Sequence, residues 1–305
     1  VKGLFSTRNP DAAELAHTLA RLARTELPLV LEGETGVGKS YLASRVHRVG
    51  RRGRPYVVMD CGAVPATLLP SELFGHRAGA FTDATRARSG WLERAGDGTL
   101  VLDRVDALPL EGQTALLRVL DERSFYPVGT TTPHPFRARV VALADAGLRN
   151  RMGAGIFRLD LYHRLAGYHA QLPPLRRRQE DIVPAARVLL RRHARRLGRR
   201  LSLHPEAERL LSAYPWPGNF RELQAVLTRA VVQVGEGEIG PVELALPADA
   251  WPRVAELAAE RAMPLVEVER LYGLWVLARE GGNVSRAARV LGISRRTLIR
   301  WRREP

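Results

Sequence analysis

Residues 33 to 40 read GETGVGKS, in which three glycines, a lysine and a hydroxyl residue follow an apolar stretch, LPLVLE, and open an amphipathic one. Gly33, Gly36 and Gly38 let backbone N–H groups converge on an anion. Lys39 adds a compact charge that can reach the outer groups of a polyphosphate, and Ser40 offers a hydroxyl to Mg²⁺. With Glu34, Thr35 and Val37 completing the loop, the run matches a phosphate-cradling P-loop in full, between a strand and a helix as that motif requires. A glycine-rich turn formed by coincidence is the competing reading. Lys39 argues against it, because Lys2 and Lys39 are the two lysines among 47 basic residues.

A second chemical signal is TLVLD, residues 99–103, an apolar strand closing on Asp103. Downstream of a P-loop, such a carboxylate is placed to hold the shell of the Mg²⁺ that accompanies ATP. Arg104 follows it directly.

These residues need a sheet to hold them. Between residues 10 and 175, apolar runs (LPLVLEG, PYVVMD, TLVLD, ARVVALAD, GYHAQLPPL) alternate with amphipathic stretches, which predicts an α/β domain with a parallel sheet flanked by helices. From 176 the strands stop, and DIVPAARVLLRRHARRL and FRELQAVLTRAVVQV carry helical periodicity. The expected division is a nucleotide-binding subdomain over 1–175, a helical lid over 176–246, a linker over 247–263 and a helical block over 264–305.

The formal charge of +15 predicts a polyanionic partner, since clustered cations gain affinity for nucleic acid by releasing condensed counterions. The arginine run from 187 to 200 reads as the solvated face of a lid helix. One cysteine, Cys61, leaves no internal disulfide. Apolar runs fall far short of the ~20 residues a membrane helix needs. A cytoplasmic protein without membrane contact is expected.

The last block reads GGNVSRAARVLGISRRTLIRWRRE, residues 281–304. Ala287, Ala288, Val290 and Leu291 offer an apolar face to a short helix, LGIS makes a turn, and Ser294 can cap the helix after it. This is helix-turn-helix spacing. Ser285, Arg286, Arg295, Arg296, Thr297 and Arg300 are the candidate contacts to double-stranded DNA. Arg296, Thr297 and Arg300 are expected at bases, and Arg286, Arg302 and Arg303 at phosphates. A basic helical hairpin on the surface is the bland alternative. Paired half-sites would make the protein a dimer on DNA.

Several stretches together resemble the AAA+ transcription activators that act on sigma-54 RNA polymerase, the bacterial enhancer-binding proteins. They are SELFGHRAGAFTDA (71–84), GDGTLVLD (96–103), LLRVLDERSFYPVG (116–129), FRLDLYHRL (157–165), LPPLRRRQEDI (172–182), YPWPGNFREL (214–223) and GGNVSRAARVLGISRRTL (281–298). The resemblance covers essentially the whole chain. It implies an AAA+ P-loop NTPase fold with a helical lid and a Fis-like DNA-binding domain. It also implies ATP with Mg²⁺, and a hexameric or heptameric ring with nucleotide sites between subunits.

By that resemblance, Arg158 and Arg164 reach a neighbouring subunit's γ-phosphate and Arg221 is the lid arginine. A planar, permanently charged guanidinium suits charge spread over phosphoryl oxygens. GAFTDA (Gly79, Ala80, Phe81, Thr82, Asp83, Ala84) resembles the loop that touches the sigma factor. Asp83 stands where the family usually has glycine, so a carboxylate replaces a residue free to adopt positive φ.

The family pattern also places a water-polarising Glu at the position of Arg104. Arginine stays protonated, so it cannot be the base. Asp60 and Asp145 stand where the family places asparagines, one restraining that Glu and one sensing the γ-phosphate. A lost Glu and a gained Arg are thus matched by two gained Asp residues. The expectation is a buried guanidinium clamped by Asp60, Asp145 or both. Asp106 or Asp145 acting as a substitute base is the competing idea, although a carboxylate paired with a cation is the weaker base. Two functions remain open: a regulator whose nucleotide gates assembly without being burned, and a fully active ATP-hydrolysing activator that remodels polymerase. A non-transcriptional motor loses support from the helix-turn-helix.

Overall fold

The computed structural model describes residues 7–80, 86–246, 251, 255, 258–259 and 262–303, with side chains described as far as Trp301. The chain divides into two compact units, one built on Pro10–Pro173 and the other on Thr7–Asn9 with the chain from Pro174 onward.

In the first unit, β1 (Leu29–Glu32), β2 (Tyr56–Asp60), β3 (Thr99–Asp103), β4 (Arg139–Ala144) and β5 (Tyr168–Gln171) form one sheet. Its order is β2–β3–β4–β1–β5 and every pairing is parallel. Side chains alternate across such a sheet, so each strand serves two cores. Leu29, Leu31, Val141 and Leu143 pack on one face with Leu19, Leu42 and Val46, from helices α1 (Pro10–Leu22) and α2 (Lys39–Gly50). Val30, Leu100, Leu102 and Ala142 pack on the other with Leu116, Val119 and Leu161, from α3 (Leu110–Glu122) and α5 (Leu159–Leu165). Each fully buried leucine contributes about 1.5–3 kcal/mol. Between those last two helices lies α4 (Leu148–Gly153), which follows β4.

A buried cation closes the edge away from the site. Arg139, 2 % exposed, donates from Nε to Leu27 O (3.0 Å), from Nη1 to Ala23 O (2.9 Å) and from Nη2 to Leu22 O (2.9 Å). The guanidinium thereby adds donors to carbonyls at the end of α1 and in the segment between α1 and β1. Burial first, then the like charge of Arg51, lowers its pKa to about 10, and it remains cationic at neutral pH.

The second unit holds α6 (Gln179–Leu197), α7 (Pro205–Ala213), α8 (Asn219–Val234), α9 (Leu265–Arg279), α10 (Val284–Leu291) and α11 (Arg295–Arg303), with a parallel pair β6 (Leu201–Leu203) and β7 (Gly237–Ile239). Leu190, Leu210, Leu227, Trp275, Ala287 and Leu298 belong to one continuous core. Trp216 sits at its centre, fully buried at φ 52°, its indole N–H donating to Leu211 O at 2.8 Å. Trp251, in the stretch read as a linker, is helical, and its ring lies 4.6 Å from that of Tyr272, tilted by 44°.

Local chemistry explains the last three helices. Asn283 Oδ1 accepts from Arg286 N (3.0 Å) and caps α10, while Gly292 ends it at φ 66°. Ser294 Oγ accepts from Thr297 N (3.0 Å) and caps α11. Gly273 on α9 admits the Trp301 ring, because a Cβ there would come within 2.7 Å of it. One detail differs from the sequence reading: Val290 is 62 % exposed. At about 100° per residue it falls outside the stripe made by Ala287, Ala288 and Leu291.

Candidate functional site

The carboxyl ends of four neighbouring strands meet at the loop after β1. This is where an open parallel sheet receives ligands, beside the strand at which the chain order reverses. Gly36 and Gly38 have φ of 80° and 106°, so both use the left-handed region glycine favours. Gly33 lies tight under β5, where a Cβ would meet Leu172 O at 3.0 Å. Gly38 leads into α2, whose first turn has no side-chain cap and no acidic residue. By contrast α7 and α10 are capped by His204 and Asn283. The open amides of α2 suit an external anion.

Lys39 lies beneath this loop, its side chain 10 % exposed. Nζ donates to Gly33 O (2.6 Å), Glu34 O (3.3 Å) and Asp145 Oδ1 (2.7 Å). Ser40 is exposed at the start of α2. Asp103 closes β3 in register with Asp60 on β2. Burial, more than any other influence, raises the Asp103 pKa above the usual carboxylate value; the backbone N–H of Arg104 opposes this and the charge of Asp60 adds to it.

Arg104 takes a left-handed backbone (φ 53°) and turns its guanidinium onto Asp60. Nε donates to Oδ1 (3.0 Å), and Nη2 to Oδ1 (2.6 Å) and Oδ2 (2.8 Å). Gly62 provides the seat, since a Cβ there would stand 2.8 Å from Arg104 Cζ. The hydrogen bonds and charge of Asp60 raise the Arg104 pKa further.

One expectation is corrected here: the guanidinium is not buried, its side chain being 48 % exposed. Of the two partners expected for it, Asp60 is the one that holds it, and among the described residues the ion pair of Asp145 is with Lys39. The sheet order explains the split. Asp145 directly follows β4, which pairs with β1 and so lies beside the loop that β1 feeds, whereas Asp60 ends β2, next to β3 and Arg104.

Asp106 is 4 % exposed. Its Oδ1 accepts from Asp145 N (3.2 Å) and its Oδ2 faces Arg151 Nε (3.4 Å), so it fixes the backbone that carries Asp145. Glu32, which sequence reasoning missed, acts nearby. It is 6 % exposed, Oε1 accepts from Gly147 N (2.8 Å) and Leu148 N (3.2 Å), and Oε2 faces His169 Nε2 at 2.9 Å. A charged residue closing the apolar run LVLE was the available signal.

Arg158 precedes α5 and Arg164 lies in its last turn. Arg158 donates from Nε and Nη2 to Asp160 (3.0 and 2.6 Å), and Arg164 Nε lies 2.5 Å from Asp121 Oδ1. Both are substantially exposed. Arg221 is exposed in the first turn of α8, within the second unit. Gly79 (φ 79°) and Ala80 lead into the sigma-loop resemblance; Phe81, Thr82, Asp83 and Ala84 lie outside the described residues.

On the C-terminal block, Ser285, Arg286, Arg295, Arg296 and Arg300 are exposed and Thr297 is half-buried. Arg295 Nη1 donates to Ser285 Oγ (3.4 Å), and Arg286 Nε lies 3.3 Å from Glu280. The Arg302 and Arg303 side chains lie outside the described set. On α6, Arg191, Arg192, Arg195 and Arg196 are exposed, and Arg187 pairs with Glu208.

A P-loop at the head of a parallel sheet, followed by a helical second unit ending in three short helices, defines an AAA+ core joined to a DNA-reading module. Comparison with known proteins agrees. Residues 5–171 match the sigma-54 interaction domain, 176–253 the AAA+ ATPase lid domain, and 267–304 the Fis family of bacterial regulatory proteins. The chain is 39 % identical over 294 residues to the transcriptional regulatory protein ZraR of Klebsiella oxytoca, covering 95 % of this chain and 66 % of that one. It is 37 % identical to the DNA-binding transcriptional regulator NtrC of Proteus hauseri, covering 97 % and 68 %. Crystal structures of NtrX from Brucella abortus superpose with TM-scores of 0.70 (ATP complex, 31 % identity) and 0.72 (ADP complex, 29 % identity), each covering 97 % of this chain and 68 % of NtrX. The chain belongs to the sigma-54-dependent transcription activator family. It spans about two thirds of the length of these relatives. No described helix is long and apolar enough to cross a membrane.

Proposed function

We propose that this chain is a cytoplasmic, DNA-binding transcription regulator whose AAA+ core holds ATP and Mg²⁺ but has lost the base that activates water. One observation carries the second half: Arg104, three hydrogen bonds deep into Asp60, occupies the position after the Asp103 carboxylate. A group that stays protonated cannot accept a proton from water.

The residues present fit the nucleotide. The left-handed glycines and uncapped amides of α2 receive phosphates, Lys39 neutralises them, and Ser40 with Asp103 holds Mg²⁺, which when bound screens phosphate charge. Arg158 and Arg164 act on a neighbouring copy and Arg221 closes on nucleotide from the lid, so that bound nucleotide sets assembly. Ser285, Arg286, Arg295, Arg296, Thr297 and Arg300 read double-stranded DNA. Residues 79–84 are the candidate contact to sigma-54 polymerase.

Phosphate release by the purified chain, measured beside nucleotide affinity, tests this. Nucleotide binding that Lys39→Ala abolishes, with turnover depressed about 10²–10⁴-fold as when a general base is removed, is the expected result. Brisk turnover that rises with assembly restores the alternative, a fully active sigma-54 activator.

A further inference from the structure

The two cations at the strand ends are both engaged by carboxylates: Arg104 by Asp60, Lys39 by Asp145. An ammonium has three N–H donors. In Lys39 those three go to Gly33 O, Glu34 O and Asp145 Oδ1. A phosphate oxygen can gain Lys39 only by displacing one of them, and the charged partner is Asp145.

The backbone that carries Asp145 is held in place. Its own N–H is tied to buried Asp106, and two residues on Gly147 N is tied to buried Glu32. An oxygen sharing Nζ with Asp145 Oδ1 would lie about 4–5 Å from it, given ordinary hydrogen-bond lengths about a tetrahedral nitrogen. The two outer phosphates differ in how they meet this carboxylate. In P-loops the backbone amides enclose the α and β groups, whereas the γ group extends beyond them towards the strand ends. Here Asp60, Asp103 and Asp145 stand at those ends against Lys39 and Arg104, and Glu32 closes β1 with its carboxylate taken up by Gly147 N–H, Leu148 N–H and His169, so carboxylates outnumber the permanent cations.

We propose that Asp145 is a specificity-determining residue that makes this pocket favour a nucleoside diphosphate over the triphosphate, by holding Lys39 and opposing a third phosphate. The inference rests on the reading that the P-loop binds nucleotide. It changes what that nucleotide signals: the diphosphate form becomes the resting ligand, and ATP must bring its third phosphate against the Asp145 carboxylate to replace it.

Calorimetric titration of the full chain with ADP, ATP and the non-hydrolysable β,γ-imido analogue, in excess Mg²⁺, tests it. The native protein should bind ADP at least about tenfold more tightly than either triphosphate, the size expected of like charges a few ångströms apart near a protein surface. Asp145→Asn and Asp145→Ser should tighten triphosphate binding about tenfold and leave ADP within about threefold. Circular dichroism of both variants confirms folding. Equal native affinities for ADP and ATP, or parallel weakening of both ligands in a folded variant, would overturn the selectivity while leaving nucleotide binding intact. Absence of binding by any of these nucleotides to native protein and variants alike would overturn the underlying reading, and the selectivity with it.

Discussion

The Arg104 guanidinium and the Asp60 carboxylate, at the ends of neighbouring parallel strands, share hydrogen bonds of 2.6, 2.8 and 3.0 Å above a glycine that leaves room for them. In the proposed reading the pair occupies the position after Asp103 that a water-activating carboxylate base would take. Arg104→Glu alone would place a third carboxylate beside Asp60 and Asp103, so the informative variant joins it to Asp60→Asn. Phosphate release should rise about 10²–10⁴-fold over the native chain, the usual worth of a positioned base. An unchanged rate in a folded, nucleotide-binding double variant would mean that more than the base is missing.

Cys61 lies between the same strand ends, 1 % exposed, its N–H donating to Asp103 O at 2.9 Å. Burial first, then the charges of Asp60, Asp103 and Asp106, pushes the thiol up to about 12. At pH 8 the native protein should therefore resist thiol reagents, and react promptly once unfolded. Rapid labelling of the folded chain would show that the strand ends open in solution.

Arg139 ties β4 to the end of α1 and the segment leading into β1 through three carbonyls. Arg139→Met would fill much of the volume and take the guanidinium donors from Ala23 O and Leu27 O, while Leu22 O keeps the Thr25 N–H and hydroxyl. Such orphaned groups cost about 1–3 kcal/mol each, partly relieved by water. A loss of about 2–4 kcal/mol in urea unfolding is expected. Unaltered stability would show that the carbonyls find other donors.

Arg158 and Arg164 are each held by a carboxylate of their own chain. Replacing both with alanine should abolish nucleotide-dependent assembly in sedimentation while leaving nucleotide affinity of the dilute chain unchanged. The Arg158 pair also has a pH signature. Hydrogen bonds from Arg158 hold the Asp160 carboxyl at about 2, below its ordinary 3.8. Its contribution is present above the unfolded value and is lost as pH falls through about 2. Carboxyl NMR should find that midpoint near 2 in native protein and nearer 3.8 in Arg158→Ala.

On the helix-turn-helix, Arg286→Ala should lower the slope of log affinity against log salt by about 0.9, the value for one lost phosphate contact. Arg296→Ala and Arg300→Ala should cost about 1–3 kcal/mol and relax preference at one base position each. Uniform weakening on all sequences would reassign both arginines to phosphates.

The P-loop, the Asp103 strand and the helix-turn-helix were legible because their information is local. GETGVGKS needs only a strand before it and a helix after it, and Asn283, Gly292 and Ser294 terminate helices through atoms a few residues away. Alternating apolar runs also carry the sheet, because parallel strands buried on both faces read as unbroken aliphatic segments.

Partnership across the sheet was not local. From residue types, Asp60 and Asp145 were equal candidates for Arg104. The strand order separated them, delivering one to Arg104 and the other to Lys39. Gly62 carries no signal that it seats a guanidinium, and the charge that closes LVLE marks Glu32 without saying that it anchors the segment after β4. Sequence alone thus determined which groups exist to hold a phosphate and read DNA. Only tertiary structure decided which charge neutralises which, because ion pairing depends on ångström distances between strand ends far apart along the chain.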